Sequence, residues 1–179
     1  PFSIDCRNNQ VYPVHNLSKS GFPKKVNLKT NEGLKKVDII ISSGMFASSV
    51  VFLETGLMNE RYFIDFIDID FCIRCKKHNV PIYVDTSVSL IHQIGENLKK
   101  IVFFEEIFHT PRRSYYKIRN TLILFSVPYI PKYFSLYQFL SAFLHAILII
   151  LTSNKKIEYT KMYTKGVVDG LIFLIKKGL

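Results

Sequence analysis

Apolar positions are scattered at the start of the chain and gather into longer runs towards its end. Residues Pro1 to Lys36 mix Asn, Ser, Lys, Pro and Gly with isolated hydrophobics, which predicts loop with short strands. Val37-Asp38-Ile39-Ile40-Ile41-Ser42 is β-branched and stops at Ser43-Gly44, the pattern of a buried strand ending in a turn. From Ala47 to Thr55 the hydrophobics move to helical spacing, with Gly56 where a left-handed cap belongs. Tyr62-Phe63-Ile64 predicts a short strand. A helix is expected from about Asp68 to His78, because its acids fall in the first turn and its bases in the last, where the helix dipole favours each. Pro81 to Val84 and Ser87 to Ile91 predict two more strands. Between Gln93 and Pro111 the pattern is mixed and predicts a mobile loop with some helix. Helical spacing resumes at about Ser114 and runs to Phe125, before Pro128 and Pro131.

From Tyr133 to Leu151 the chain is nearly all apolar, close to the ~20 residues that a membrane-crossing helix needs. Its polar residues Ser135, Gln138, Ser141 and His145 recur every three or four positions and fall on one helix face. That predicts an amphipathic helix lying in a membrane interface or packed in a bundle, rather than one spanning lipid. A last helix is expected from about Lys156 to Lys177. Two parts are expected, 1–127 and a helical tail, 128–179.

Charge sharpens this picture. The 179 residues carry 24 Lys and Arg against 14 Asp and Glu, a net charge of +10, and 48% of them are hydrophobic. Such a chain can bury a core, which excludes disorder. Lysines crowd an early segment, Lys19 to Lys36, and the tail, Lys155 to Lys177. In the tail they lie between apolar runs, which fits an anionic membrane surface and argues against nucleic acid as the partner. The early cluster reads as a solvated face. Three cysteines exclude a disulfide framework and suit a reducing, cytosolic setting. No signal peptide is visible, and a start without Met suggests the downstream part of a longer protein.

The candidate chemistry is concentrated in two stretches. Asp65, Asp68 and Asp70 fall within six residues at a predicted helix start, and such crowding suits a general base, a cap or a compensating cation. Asp70 is placed to pair with Arg74 at i,i+4, whereas an N-cap alone does not account for Asp68. Asp68-Ile69-Asp70 also has the form of a D-x-D metal pair, with His92 at a strand end as a possible third ligand for Mg²⁺ or Mn²⁺. Cys72 and Cys75 form C-x-x-C, but with neither a second pair for zinc nor a thioredoxin-like strand before them. The second stretch, His109 to Asn120, sets Arg112, Arg113 and Arg119 among Tyr115 and Tyr116 at a loop-to-helix junction. Arginines at a helix start oppose the dipole unless an anion such as a diphosphate binds there.

Taken together, Ile41-Ser42-Ser43-Gly44, the Phe63 to Arg74 run, His92, the His109 to Asn120 run and Gly166-Val167-Val168-Asp169-Gly170-Leu171 resemble the second half of family 2 glycosyltransferases, most closely the bacterial rhamnosyltransferases that build surface polysaccharide. The resemblance implies an α/β, GT-A (Rossmann-like) nucleotide-sugar transferase that inverts the anomeric centre, followed by amphipathic C-terminal helices. It implies Asp68 at the catalytic-base position with Asp70 as the following acid. Ile67 stands where the family commonly has Glu, which leaves Asp65 as a possible sharer of the role. It further implies substrate contacts from Ser43, Gly44, Arg112, Arg113, Tyr115, Tyr116, Arg119 and Asn120, and His92 near a divalent metal, Mg²⁺ or Mn²⁺. The implied donor is a nucleotide sugar, dTDP-rhamnose, and the implied acceptor a polysaccharide or lipid-linked glycan at the inner face of the cell membrane, where the chain is expected to sit peripherally. The family's donor-binding half is expected before Pro1, so the chain alone is expected to be inactive. The rival expectation is a non-catalytic, membrane-associated interaction domain.

Overall fold

The computed structural model describes residues 1–93, 97–101 and 104–177. It is a mixed α/β chain in which the described strands pair two at a time. In chain order the strands are β1 (Phe2–Asp5), β2 (Val14–Leu17), β3 (Pro23–Val26), β4 (Leu34–Val37), β5 (Ile82–Asp85), β6 (Ser89–His92), β7 (Asn97–Ile101) and β8 (Phe104–Phe108). The helices are α1 (Ser49–Thr55), α2 (Ile67–Lys77), α3 (Pro111–Phe125), α4 (Lys132–Thr152) and α5 (Lys156–Lys176), and a 3₁₀ turn occupies Glu60–Tyr62. β1 and β6 are parallel; β2 with β3, β4 with β5 and β7 with β8 are antiparallel.

Two compact units result. One comprises Pro1–Arg61 and Ile67–Ile94, the other Tyr62–Phe66 and Gly95–Leu179. In the first, Phe2, Val14, Val37 and Val84 form a buried core from four different strands. Each such side chain contributes roughly 1.5–3 kcal/mol relative to exposure. α1 begins at Ser48, whose Oγ accepts from Val50 N, and ends at Gly56, whose φ of 82° is the left-handed value for which glycine is suited.

The second unit is a helical bundle. α3 has Thr110 as N-cap and Pro111 in its first turn, where a missing N–H matters least. It therefore starts three residues before the expected Ser114. Ile118, Ala142, Ala146, Ile149, Tyr159 and Tyr163 form the core of the bundle. α5 packs on α3 through Gly166 and Gly170: a Cβ on Gly166 would fall 2.6 Å from the Tyr115 carbonyl oxygen, and one on Gly170 would fall 2.6 Å from Leu122 Cδ1. α3, placed with the N-terminal part by the sequence, thus packs with the tail helices.

Three expectations need correction. The strand expected at Val37 to Ser42 lies earlier, at Leu34–Val37, because the chain bends at Asp38, whose carboxylate accepts from Leu17 N (2.7 Å) and Lys76 Nζ (2.5 Å). Tyr62 to Ile64 is not a strand: Phe63, Asp65 and Phe66 have φ near 60°, incompatible with extended backbone. The stretch expected to be loop with helix contains the antiparallel β7–β8 pair, and its residues 94–96 and 102–103 lie outside the described residues. The polar stripe of α4, for which a membrane interface or a bundle was expected, is turned into the bundle. Ser135 is fully buried and Gln138 and His145 half-buried, with Ser141 alone of the four exposed. The outward face carries Tyr133, Leu136, Tyr137, Leu140, Phe143, Leu144, Ile147 and Leu151, each 42–67% exposed.

Candidate functional site

The first unit contains a cavity of about 360 Å³, walled largely by hydrocarbon and sulfur from Ile40, Met45, Met58, Phe71, Cys72 and Cys75. Asp68 lines it, as do Ser43, Gly44 and Asp85. The local fold explains the division of labour among the acids. α2 starts at Ile67, so Asp68 and Asp70 both stand in its first turn, but about 200° apart around the helix.

Asp70 points inwards. It is fully buried, and its Oδ2 accepts from Arg74 Nε at 3.0 Å, the i,i+4 pair expected from spacing. The rest of that guanidinium donates to the Thr55 carbonyl at 2.6 Å and the Leu57 carbonyl at 2.8 Å. Asp70 and Arg74 therefore form a structural rivet between α2 and the end of α1. Gly56 lies beside it, where a Cβ would stand 3.1 Å from Arg74 Nη1. Asp68 is half-buried and makes no hydrogen bond or ion pair with a described residue. A carboxylate with such freedom, in an apolar cavity, can accept a proton from a bound hydroxyl.

Other groups in this unit are already committed. Asp85 Oδ1 accepts from both the backbone N–H and the hydroxyl of Ser87, which hold its carboxyl below the usual range. Cys72 donates to the Ile40 carbonyl, and burial pushes its thiol up to about 12, so it is a poor nucleophile or metal ligand. His92 ends β6 in register with Asp5 and has Nε2 3.4 Å from Ser43 Oγ. The Arg7 guanidinium binds Asp5 and brings its carboxyl down to about 2. Among the described residues no three His, Cys, Asp or Glu side chains gather in a way that could hold a metal ion. These described residues therefore do not make a divalent-cation site by themselves.

In the second unit, Asp65 is bound by Arg113 through two bonds, Nε to Oδ2 at 3.1 Å and Nη2 to Oδ1 at 2.7 Å. Its loop is held by a residue the sequence assigned to substrate. Asn120 is fully buried, and its Nδ2 donates to the carbonyls of Tyr62 (2.9 Å), Ile64 (2.7 Å) and Asp65 (3.3 Å). Arg119 donates to Asn120 Oδ1 and lies over the rings of Tyr115 and Tyr116. Three left-handed residues within four positions, Phe63, Asp65 and Phe66, are strained, and this clamp maintains them. The available signal was one polar residue on the apolar face of a periodic helix.

Of the two aromatic site residues, Tyr115 has a hydroxyl that donates to Asp169 Oδ2 at 2.8 Å. Burial pushes its phenol pKa up, and the bond to Asp169 adds to that. Asp169 is held down by Lys165 and by the same hydroxyl. Arg112 is the exposed cation at the start of α3, with no ion pair to a described residue. His109, just before the cap, is buried, and Tyr159 Oη donates to its carbonyl at 2.6 Å. Burial, then the nearby Arg113 and Lys117, bring its imidazole down to about 3.

No protein-family profile matches the chain, and no solved structure matches it. Its sequence is similar to dTDP-rhamnosyl transferase RfbF of Shigella flexneri, with 32% identity over 171 residues. The match takes in 96% of this chain, which spans 58% of that protein's length. The resemblance to bacterial rhamnosyltransferases, suggested by five short motifs, therefore holds along almost the whole chain.

Proposed function

We propose that the chain is the acceptor-side part of an inverting, GT-A-type glycosyltransferase that moves rhamnose from dTDP-rhamnose to a polysaccharide or lipid-linked acceptor. The observation that carries this reading is Asp68, a carboxylate without a hydrogen-bonding partner among the described residues, lining an apolar cavity on a chain related to a rhamnosyltransferase. Asp68 takes the proton of the acceptor hydroxyl, whose oxygen attacks the anomeric carbon from the side opposite the leaving group. The bond to the nucleoside diphosphate breaks, and the configuration at that carbon inverts. Arg112, exposed at the start of α3 with no ion pair among the described residues, is the group offered for binding a diphosphate. Arg113 and Asn120 act one step back, holding Asp65 and its loop.

The test uses the complete protein that carries this chain, with dTDP-rhamnose as donor. Asp68→Asn should lower transfer by roughly 10²–10⁴ while leaving donor binding nearly unchanged. Near wild-type turnover for Asp68→Asn, together with loss for Asp65→Asn, would assign the base to Asp65. Arg112→Ala should weaken nucleoside-diphosphate binding in calorimetry. The 179-residue chain alone should show no turnover above its Asp68→Asn control.

A further inference from the structure

We infer that the outward face of α4 is a membrane seat, which lies in the interfacial layer of a bilayer containing anionic lipid. The inference rests on how the helix is turned, and it stands apart from the transfer reading. At 3.6 residues per turn the outward positions from Tyr133 to Leu151 fall within about a third of the circumference and extend over about 27 Å. All are aliphatic or aromatic. A surface helix in water normally shows the reverse, with its polar residues outside. Here Ser135, Gln138 and His145 face the bundle. A contiguous apolar strip of this length, made by one face of one helix, is the kind of surface that marks an interaction site.

Charge selects the occupant. Lys132 stands at one end of the strip and Lys155 and Lys156 follow the other, all exposed. From residue 128 onwards the only acids are Glu158 and Asp169, and both are engaged by lysines, Lys155 and Lys165. A second copy pressed face to face would bring lysines against lysines with no acid left to answer them. Phosphate headgroups supply the missing negative charge, and the acyl boundary supplies the apolar medium. Tyr133 and Tyr137, near the helix start, have the ring and hydroxyl that suit the headgroup level. The helix is long and apolar enough to cross a membrane. However, its inner face packs on α3 and α5, so lying in the plane of the interface keeps the bundle intact, and crossing would break it.

Flotation of the 179-residue chain with phosphatidylcholine vesicles, with and without one quarter phosphatidylglycerol, tests the inference. The chain should float with the anionic vesicles, and high salt should release it in part. Leu140→Glu with Leu144→Glu should lower the bound fraction roughly tenfold or more. Ser141→Glu, on the same helix but outside the strip, should leave it unchanged. Lys155→Gln with Lys156→Gln provides a second route, away from the bundle core, and should weaken anionic binding roughly fivefold or more. Circular dichroism should show equal helix content in all variants. Equal flotation of the wild type and the Leu140→Glu, Leu144→Glu variant would overturn the seat. So would a dimer in sedimentation that these two changes dissolve while vesicles go unbound, which would give the face to a second copy. Protein retained on vesicles after alkaline carbonate would replace seating with crossing.

Discussion

In α2 the interior holds charge, whereas in α4 the surface holds hydrocarbon. The two inversions are resolved differently. Asp70 is fully buried and Arg74 nearly so, yet between them every charge is answered: the carboxylate by the guanidinium, and the guanidinium also by the carbonyls of Thr55 and Leu57. Leu140, Leu144 and Leu151 are exposed by half or more, and no described residue covers them. A buried charge must find its partner within the fold, because leaving water is costly. An exposed hydrophobe can find its partner afterwards. The first arrangement is therefore a matter of folding and the second a matter of association.

The largest effect should come from breaking the charged interior. Arg74→Met leaves Asp70 buried without its cation and should reduce stability by about 3–5 kcal/mol in denaturant unfolding. Asp70→Leu combined with Arg74→Met should do less damage than Arg74→Met alone, since no charge is then stranded. A smaller effect tests a third case, a buried polar group kept neutral. The His109 imidazole titrates near 3 in the fold, against an unfolded value of about 6.5. Its folded value is lowered, so the unfolded chain binds the proton more readily between those two limits. Stability is then complete above about pH 6.5 and falls as pH drops towards 3, by up to about 1.4 kcal/mol per unit. His109→Phe should flatten that part of the pH profile, as read by thermal unfolding. The smallest effect is expected on α4. Leu140→Gln, in water without lipid, should change stability by no more than about 0.5 kcal/mol. A loss comparable to that of Arg74→Met would show that the outward strip belongs to the core.

Local signals carried the helices well and the irregular segments poorly. α2 and α5 begin and end within about a residue or two of where charge and spacing place them, because dipole and cap preferences act within one turn. The Asp70–Arg74 pair was legible for the same reason, since i,i+4 neighbours share a face whatever surrounds them. The loop from Tyr62 to Phe66 was not. Its conformation is imposed by Asn120, more than fifty positions away, and aromatic residues there mimic a strand. For α4, periodicity located the polar stripe correctly but could not tell which way it faced. A stripe of Ser, Gln and His is compatible with water outside or with a bundle inside, and α3 and α5 decide between them. Asp68 was separable from Asp70 by spacing, but the cavity that distinguishes it is assembled from β-region turns, α1 and α2 together.

The two glycines of α5 determine more than a close approach. α3 and α5 run in the same direction, with Gly166 against Tyr115 and Ile118 and Gly170 against Arg119 and Leu122. If α5 slid by one turn towards its start or its end, one notch would still meet a glycine. The other would receive Met162 or Leu174, and Asp169 would leave the Tyr115 hydroxyl. The pair thus works as a key with two teeth, which fits only one axial position. The C-terminal helix is for this reason a gauge for α3: it fixes where along the bundle the arginine-bearing start of that helix stands.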